Sequence, residues 1–346
     1  MDPLTHALAS LTVQRAAFPR LSRTATISVV LAGMIADVDR FSSYFGPSAY
    51  LSFDRTYFHS LPAALVFALL ATLPFSFLKP KSPETQIRRA TIFAAAFAAA
   101  LLHLALDVCQ SSGVQLLWAF SARRFALDWL PSLDLWILGI LLAGILLPLL
   151  AGLVTEEIGV RRKGPRGRIG ATLTLLALIF YLGARFTLHG DAVAALESRT
   201  YRGELPRRVA AFSESNSPFL WHGIVETERA LHDLEVPVGP SADFDPGSAI
   251  TTYKPEPSPA LDAAHNSGVA RRFLRVARFP KATVEQTPSG FHVILRAFPY
   301  SPESGAGRVA LTDEGRVQAL IDTDPAGKIL SEEVAWVPSA RTFWWH

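Results

Sequence analysis

Cysteine is almost absent: Cys109 is the single one in 346 residues. An intrachain disulfide is therefore impossible, and a cysteine-rich zinc site is excluded. Charge is also scarce, with Asp, Glu, Lys and Arg making up 18% of the chain against roughly 25% in ordinary globular proteins. The formal net charge of +3 is too small to argue for a nucleic-acid partner. No HExxH run is present, which argues against a zincin protease, and no GxSxG elbow marks a serine hydrolase. The start, MDPLTHALASL, opens with an acid and lacks a basic stretch ahead of its apolar residues, so no cleavable signal peptide is expected.

What the chain has in quantity is hydrophobic residues, half of the total. They concentrate in residues 1–190, while 191–346 has the polarity of an ordinary domain. A hydrocarbon core of ~30 Å takes ~20 helical residues to cross. Four segments approach that length: 60–78, 88–107, 133–154 and 169–188. Residues 3–18 and 24–38 are shorter and read as a helical hairpin. Lys79, Lys81, Arg88 and Arg89 flank one connection, and Arg161, Arg162, Lys163, Arg166 and Arg168 crowd another. The positive-inside rule places both on the cytoplasmic side of a bacterial inner membrane. The protein is then multi-pass, and residues 191–346 lie outside, in the periplasm of a Gram-negative cell.

This topology gathers ionisable residues at the outer face. His6 opens the first helix, Asp37 and Asp39 end the second, and Asp54 and His59 precede the third. His103 and Asp107 end the fourth, one turn apart on one face, and Asp134 opens the fifth. Ionisable groups are costly within a membrane and mark functional sites there. Histidine with carboxylate suits zinc, manganese or iron, and Asp107 is placed to bridge two ions. Each residue alone has an ordinary reading: His6 as an interfacial polar group, Asp37 and Asp39 as helix caps, His103 as a donor to a backbone carbonyl. The pair His103 and Asp107 also reads as an outer hydrogen bond instead of two ligands. Together on one face they favour a divalent metal site. Arg55, Arg123 and Arg124 offer the forked donors that phosphate oxygens accept, with interfacial anchoring as the plainer role for Arg123 and Arg124.

These motifs resemble the YdjM-type inner-membrane metal-dependent hydrolase family. Its Met-Asp-x-x-Thr-His is MDPLTH here, its Pro-Asp-x-Asp is ADVD at 36–39, and its His-Arg-Gly-x-Thr-His-Ser is DRTYFHS at 54–60. Its His-x-x-x-Asp is HLALD at 103–107, and SARRFALDWLPSLD at 121–134 is also typical. The chain departs from the pattern at Ala36, Asp54, Thr56 and Phe58. More distantly the family is similar to zinc-dependent phospholipase C and P1 nuclease. The resemblance implies a phospholipase C/P1 nuclease-like helical bundle over 1–190. It implies His6, Asp37, His59, His103 and Asp107 as the leading metal ligands, with Asp39 and Asp54 joining them. It also favours phosphoester hydrolysis, with Asp37, Asp107, Arg55 and Arg124 in catalytic roles and a lipid or amphipathic phosphoester as substrate. The alternatives are a cation transporter and a non-enzymatic membrane scaffold.

Residues 191–346 read as a small α+β domain with one antiparallel sheet of four to six strands. AVAALESRTYR opens it as a linker-like helix, and turn-rich polar segments follow. RFLRVARF (272–279), ATVEQ (282–286), FHVILRAF (291–298), GRVQALIDT and KILSEEVAWV read as strands, with TPSG as a hairpin turn. The aromatic end, RTFWWH, reads as a core strand ahead of a membrane contact. His222, beside Trp221, reads as structural ahead of metal-binding.

Overall fold

The computed structural model describes residues 1–77, 89–157, 167–215, 217–297 and 316–337. Most of the basic residues used for topology (Lys79, Lys81, Arg88, Arg161, Arg162, Lys163 and Arg166) and the RTFWWH end lie outside the described residues. The chain forms two compact units. One contains Met1–Asp39 and Arg55–Thr187, the other Arg40–Asp54 and Leu188–His346. The sequence reading drew one boundary near residue 190; in addition, the segment 40–54 joins the second unit.

The first unit is helical. α1 (Pro3–Ala17) and α2 (Arg23–Ala32) are each started by a side-chain cap, Asp2 and Ser22 respectively. A 3-10 segment, Ile35–Phe45, follows and carries Asp37 and Asp39. The second helix therefore ends before these carboxylates, at Gly33, and is not ended by them. Beyond α3 (Pro47–Phe53), which lies in the second unit, come α4 (Leu61–Thr72), α5 (Pro74–Phe77), α6 (Arg89–Val108), α7 (Leu135–Glu157) and α8 (Arg168–Glu197). α6 is central and packs on α1, α2 and α4. Its buried residues run from Ile92 through Ala95, Ala96, Ala99 and Ala100 to His103 and Asp107, and the alanines are small enough to let helix backbones approach closely.

Among the described residues, three helices are long and apolar enough to cross a membrane: Arg89–Val108, Leu135–Gly152 and Arg168–Glu197. The expected span at 60–78 is interrupted at Leu73 and Pro74, leaving a 12-residue α4. Proline lacks the amide that would continue the ladder, and 12 residues reach only about 18 Å. α8 runs unbroken for 30 residues, so AVAALE is its last part and not a separate linker helix. Leu146, Leu147, Leu149 and Leu150 on α7, and Leu173, Leu176, Ile179 and Phe180 on α8, are exposed. That apolar surface is stable against lipid and costly against water.

Among its described residues, the second unit holds two four-stranded antiparallel sheets where the sequence suggested one. The first is a meander of β1 (Arg208–Ser213), β2 (Leu220–Glu226), β3 (Ala230–Pro237) and β4 (Ile250–Tyr253). Ala192 and Leu196 at the end of α8 pack with Tyr201 on Trp221, Val225, Leu234 and Val236 of this sheet. β2 and β3 are buried over five consecutive residues each, so the alternation that marks a one-sided strand is missing from their sequence. The second sheet is a meander of β5 (Pro280–Thr287), β6 (Gly290–Ala297), β7 (Val317–Thr323) and β8 (Ile329–Trp336). α9 (Pro259–His265) and α10 (Gly268–Leu274) cover it, along with Tyr50 and Leu51 of α3. RFLRVARF is thus not a strand. Its first residues finish α10, which Ser267 caps at the Ala270 amide and whose Val269, Ala270 and Phe273 face the core.

Candidate metal centre

Local sequence sets each histidine before tertiary packing joins them. In MDPLTH, Asp2 accepts from the Thr5 amide and hydroxyl at 2.9 and 2.5 Å, and Pro3 fills the first helical turn. This box fixes His6 one turn into α1. In FHS, Ser60 caps α4 at the Ala63 amide and leaves His59 just outside the helix. His103 and Asp107 lie one turn apart on α6 and are both buried.

The three histidines converge on Asp107. His6 Nε2 is 3.3 Å from its Oδ1, His59 Nε2 is 3.0 Å from Oδ2, and His103 Nε2 is 3.3 Å from Oδ2. The His6 and His103 rings stack with centroids 3.7 Å apart. None of these Nε2 atoms, nor Asp107 Oδ2, makes a hydrogen bond of good geometry among the described residues. Buried polar atoms left in that condition call for a partner. His6, Asp37, His103 and Asp107 each offer one ligand atom, all within 4.8 Å of one another. Bonds of about 2.0–2.1 Å to a tetrahedral ion put neighbouring ligand atoms about 3.3 Å apart, matching the His6 and His103 spacing to Asp107. The donor set and its geometry fit a divalent metal ion.

A shell of hydrogen bonds turns these rings. His103 Nδ1 donates to the Gly33 carbonyl at 2.9 Å, which leaves Nε2 as the ligating nitrogen. The ordinary reading of His103 and the metal reading are therefore both satisfied, through different ring nitrogens. His59 Nδ1 lies 2.7 Å from Asp39 Oδ2, which also accepts the Arg55 amide at 2.9 Å. Burial alone would lower the His59 imidazole, but the charge of Asp39, helped by Asp107, outweighs it and pushes its pKa up to about 9.

Positive charge accompanies Asp107. The Met1 amino group contacts Oδ1, and Arg55 Nη1 lies 3.6 Å from the same oxygen. Gln110 bridges the two groups: its amide donates to Asp107 Oδ1 and its carbonyl accepts from Arg55 Nη2, both at 3.0 Å. Arg55 is buried and has a left-handed backbone, φ +53°, a conformation that non-glycine residues hold only where their surroundings impose it.

The structure thus brings His6, Asp37, His103 and Asp107 together, with His59 and Arg55 beside them. Asp39 instead faces His59 Nδ1. Asp54 is buried, ends α3 and belongs to the second unit. Arg124 reaches the Ser112 carbonyl and the Thr56 hydroxyl, each at 3.4 Å. Arg123 is exposed over the Phe125 ring. Asp134 caps α7 at the Trp136 and Ile137 amides and accepts from Tyr181. His222 pairs with Asp233 at 2.8 Å on the first sheet. Sequence reasoning passed over Gln110 and Gly33. Gln110 had a visible signal, since it follows Asp107 by three residues.

Fold and site define a helical membrane protein with a buried His/Asp cluster fit for a metal. The chain belongs to the YdjM inner membrane protein family, whose model matches residues 1–192. No curated protein and no solved structure matches it, so the phospholipase C/P1 nuclease likeness rests on the sequence resemblance alone.

Proposed function

We propose that the protein is a membrane-bound metal-dependent hydrolase that cleaves a phosphoester of a lipid or another amphipathic substrate. The observation that supports this reading is the convergence of His6, Asp37, His103 and Asp107 within 4.8 Å, with Arg55 buried against Asp107. A divalent ion held there, zinc or else manganese or iron, supplies Lewis-acid activation of water and of a phosphoryl oxygen. Asp37 or Asp107 takes the proton that attacking water gives up. Arg55 and Arg124 offer planar forks of donors to phosphate oxygens. Asp39 holds His59 in place, and Gln110 holds Arg55 alongside Asp107. The second unit is extracytoplasmic in this reading, and the helices cross the membrane several times.

The test is metal content by inductively coupled plasma mass spectrometry on detergent-purified protein, beside folded His103→Ala and Asp37→Ala, followed by phospholipid and generic phosphoester hydrolysis. Metal that falls in both variants, with hydrolysis falling in parallel, supports the reading. Metal without hydrolysis leaves a metal protein of another class. A folded protein that takes up neither zinc nor manganese overturns the proposal.

A further inference from the structure

We infer that the loop between α6 and α7 inserts its tip into the bilayer at the headgroup–acyl boundary. The loop is closed at its base: Val114 and Phe125 exchange backbone hydrogen bonds at 3.0 and 2.9 Å. Its tip is a tight turn, with the Trp118 amide on the Gln115 carbonyl and the Phe120 and Ser121 amides on the Leu117 carbonyl. Ala119, between the two aromatics, has φ +78°, a strained conformation for a residue with a side chain. The turn presents Leu117, Trp118 and Phe120, and Phe120 is 88% exposed. An exposed aromatic on a turn braced this way calls for an apolar partner.

The surroundings identify that partner as lipid. α6 and α7 are both long enough to cross the membrane, so the loop joining them emerges at a membrane surface. The tip is stitched to the start of α4: the Leu61 amide donates to the Leu116 carbonyl, and Tyr57 packs edge-on against Trp118. Exposed Phe58, Leu61, Leu65, Val66 and Leu69 continue the apolar surface along α4. Tryptophan favours the membrane interface. Arg123, exposed and resting over Phe125, supplies a cation at headgroup level for lipid phosphate. The loop also reaches the metal centre, since the Gln115 amide donates to the Arg55 carbonyl at 3.3 Å. Lipid headgroups held by this tip would stand beside the His/Asp cluster. The inference depends on membrane placement and not on hydrolysis.

The test is nitroxide labelling of Phe120→Cys in nanodiscs of phosphatidylcholine and phosphatidylglycerol. Collisions with oxygen are compared with collisions with a water-soluble nickel chelate. Wild type treated with the same label measures any background from buried Cys109. Leu147→Cys on α7 serves as the lipid control and Glu228→Cys as the aqueous one. Position 120 is expected to favour oxygen, as position 147 does. A nickel-dominated signal at 120 with an oxygen-dominated one at 147 overturns the inference and spares the membrane reading; nickel dominance at both overturns both. Brominated lipid provides a second measurement: replacing Trp118→Phe should remove a quenched fraction of the tryptophan emission, and no change in that fraction counts against insertion.

Discussion

Asp107→Asn keeps the shape of the side chain and removes its charge, so it isolates the electrostatics of the cluster. In the wild type, the Asp107 carboxylate faces the Met1 amino group, Arg55 at 3.6 Å and three imidazole nitrogens within 3.3 Å, all buried. Removing one member of a buried charged set costs about 3–5 kcal/mol, because the opposite charges stay desolvated. For a unit of this size a loss of 1 kcal/mol lowers the melting temperature by roughly 2–4 °C. The variant should therefore unfold about 10 °C below the wild type. The comparison is made in detergent by circular dichroism, with both proteins stripped by chelator so that metal loss is not counted. Metal restored to the wild type should raise its melting temperature further, and metal restored to the variant should not. If the stripped proteins melt together, Asp107 is not the hub of a buried charge cluster, and the reasoning from its geometry fails.

Three further outcomes follow from other parts of the molecule. A Cβ at Gly33 would strike the Ser10 side chain and press on Ala99, so Gly33→Ala should shift the carbonyl that orients His103 and weaken metal binding by about 10–100-fold; titration with zinc reads this, and unchanged affinity would show that the carbonyl is not a positioning group. Gly290 has φ +149° and a Cβ there would meet the Thr323 carbonyl, so Gly290→Ala should loosen the β6–β7 pairing by about 1–3 kcal/mol, seen as faster amide exchange in both strands. The Val269 amide, aided by the Ser267 hydroxyl and Gly268 amide, holds the Glu332 carboxyl below its usual range. A lowered folded pKa gives stability that is present above the unfolded value of about 4.3 and is lost as pH falls through the folded one. Protection of the α10 amides should decline across that acid window in the wild type, whereas Glu332→Gln should start lower and respond less.

Features that depend on neighbours along the chain could be read from the sequence. Long apolar runs marked α6, α7 and α8 as helices long and apolar enough to cross a membrane, because that reach depends only on rise per residue. His103 and Asp107 share a face because one helical turn separates them, and the β5–β6 hairpin showed through period-two alternation and the TPSG turn. RFLRVARF reads as a strand and is not one: its apolar residues fit the helical period as well, and the Ser267 cap with a helical burial face decides for α10. The assignment of roles within the site needed the tertiary structure. Asp37 and Asp39 are two residues apart and look alike in sequence. On the 3-10 segment one joins His6, His103 and Asp107, and the other turns toward His59, 20 residues away. Arg55 acquires its buried place only when α6 brings Asp107 and Gln110 to it. The association of 40–54 with the second unit likewise depends on Tyr50 and Leu51 finding the core beneath α9 and α10. Periodicity fixes which face of an element is apolar, but the rotation and partner of each element are set by contacts between residues far apart in the chain. The metal centre consists almost wholly of such contacts.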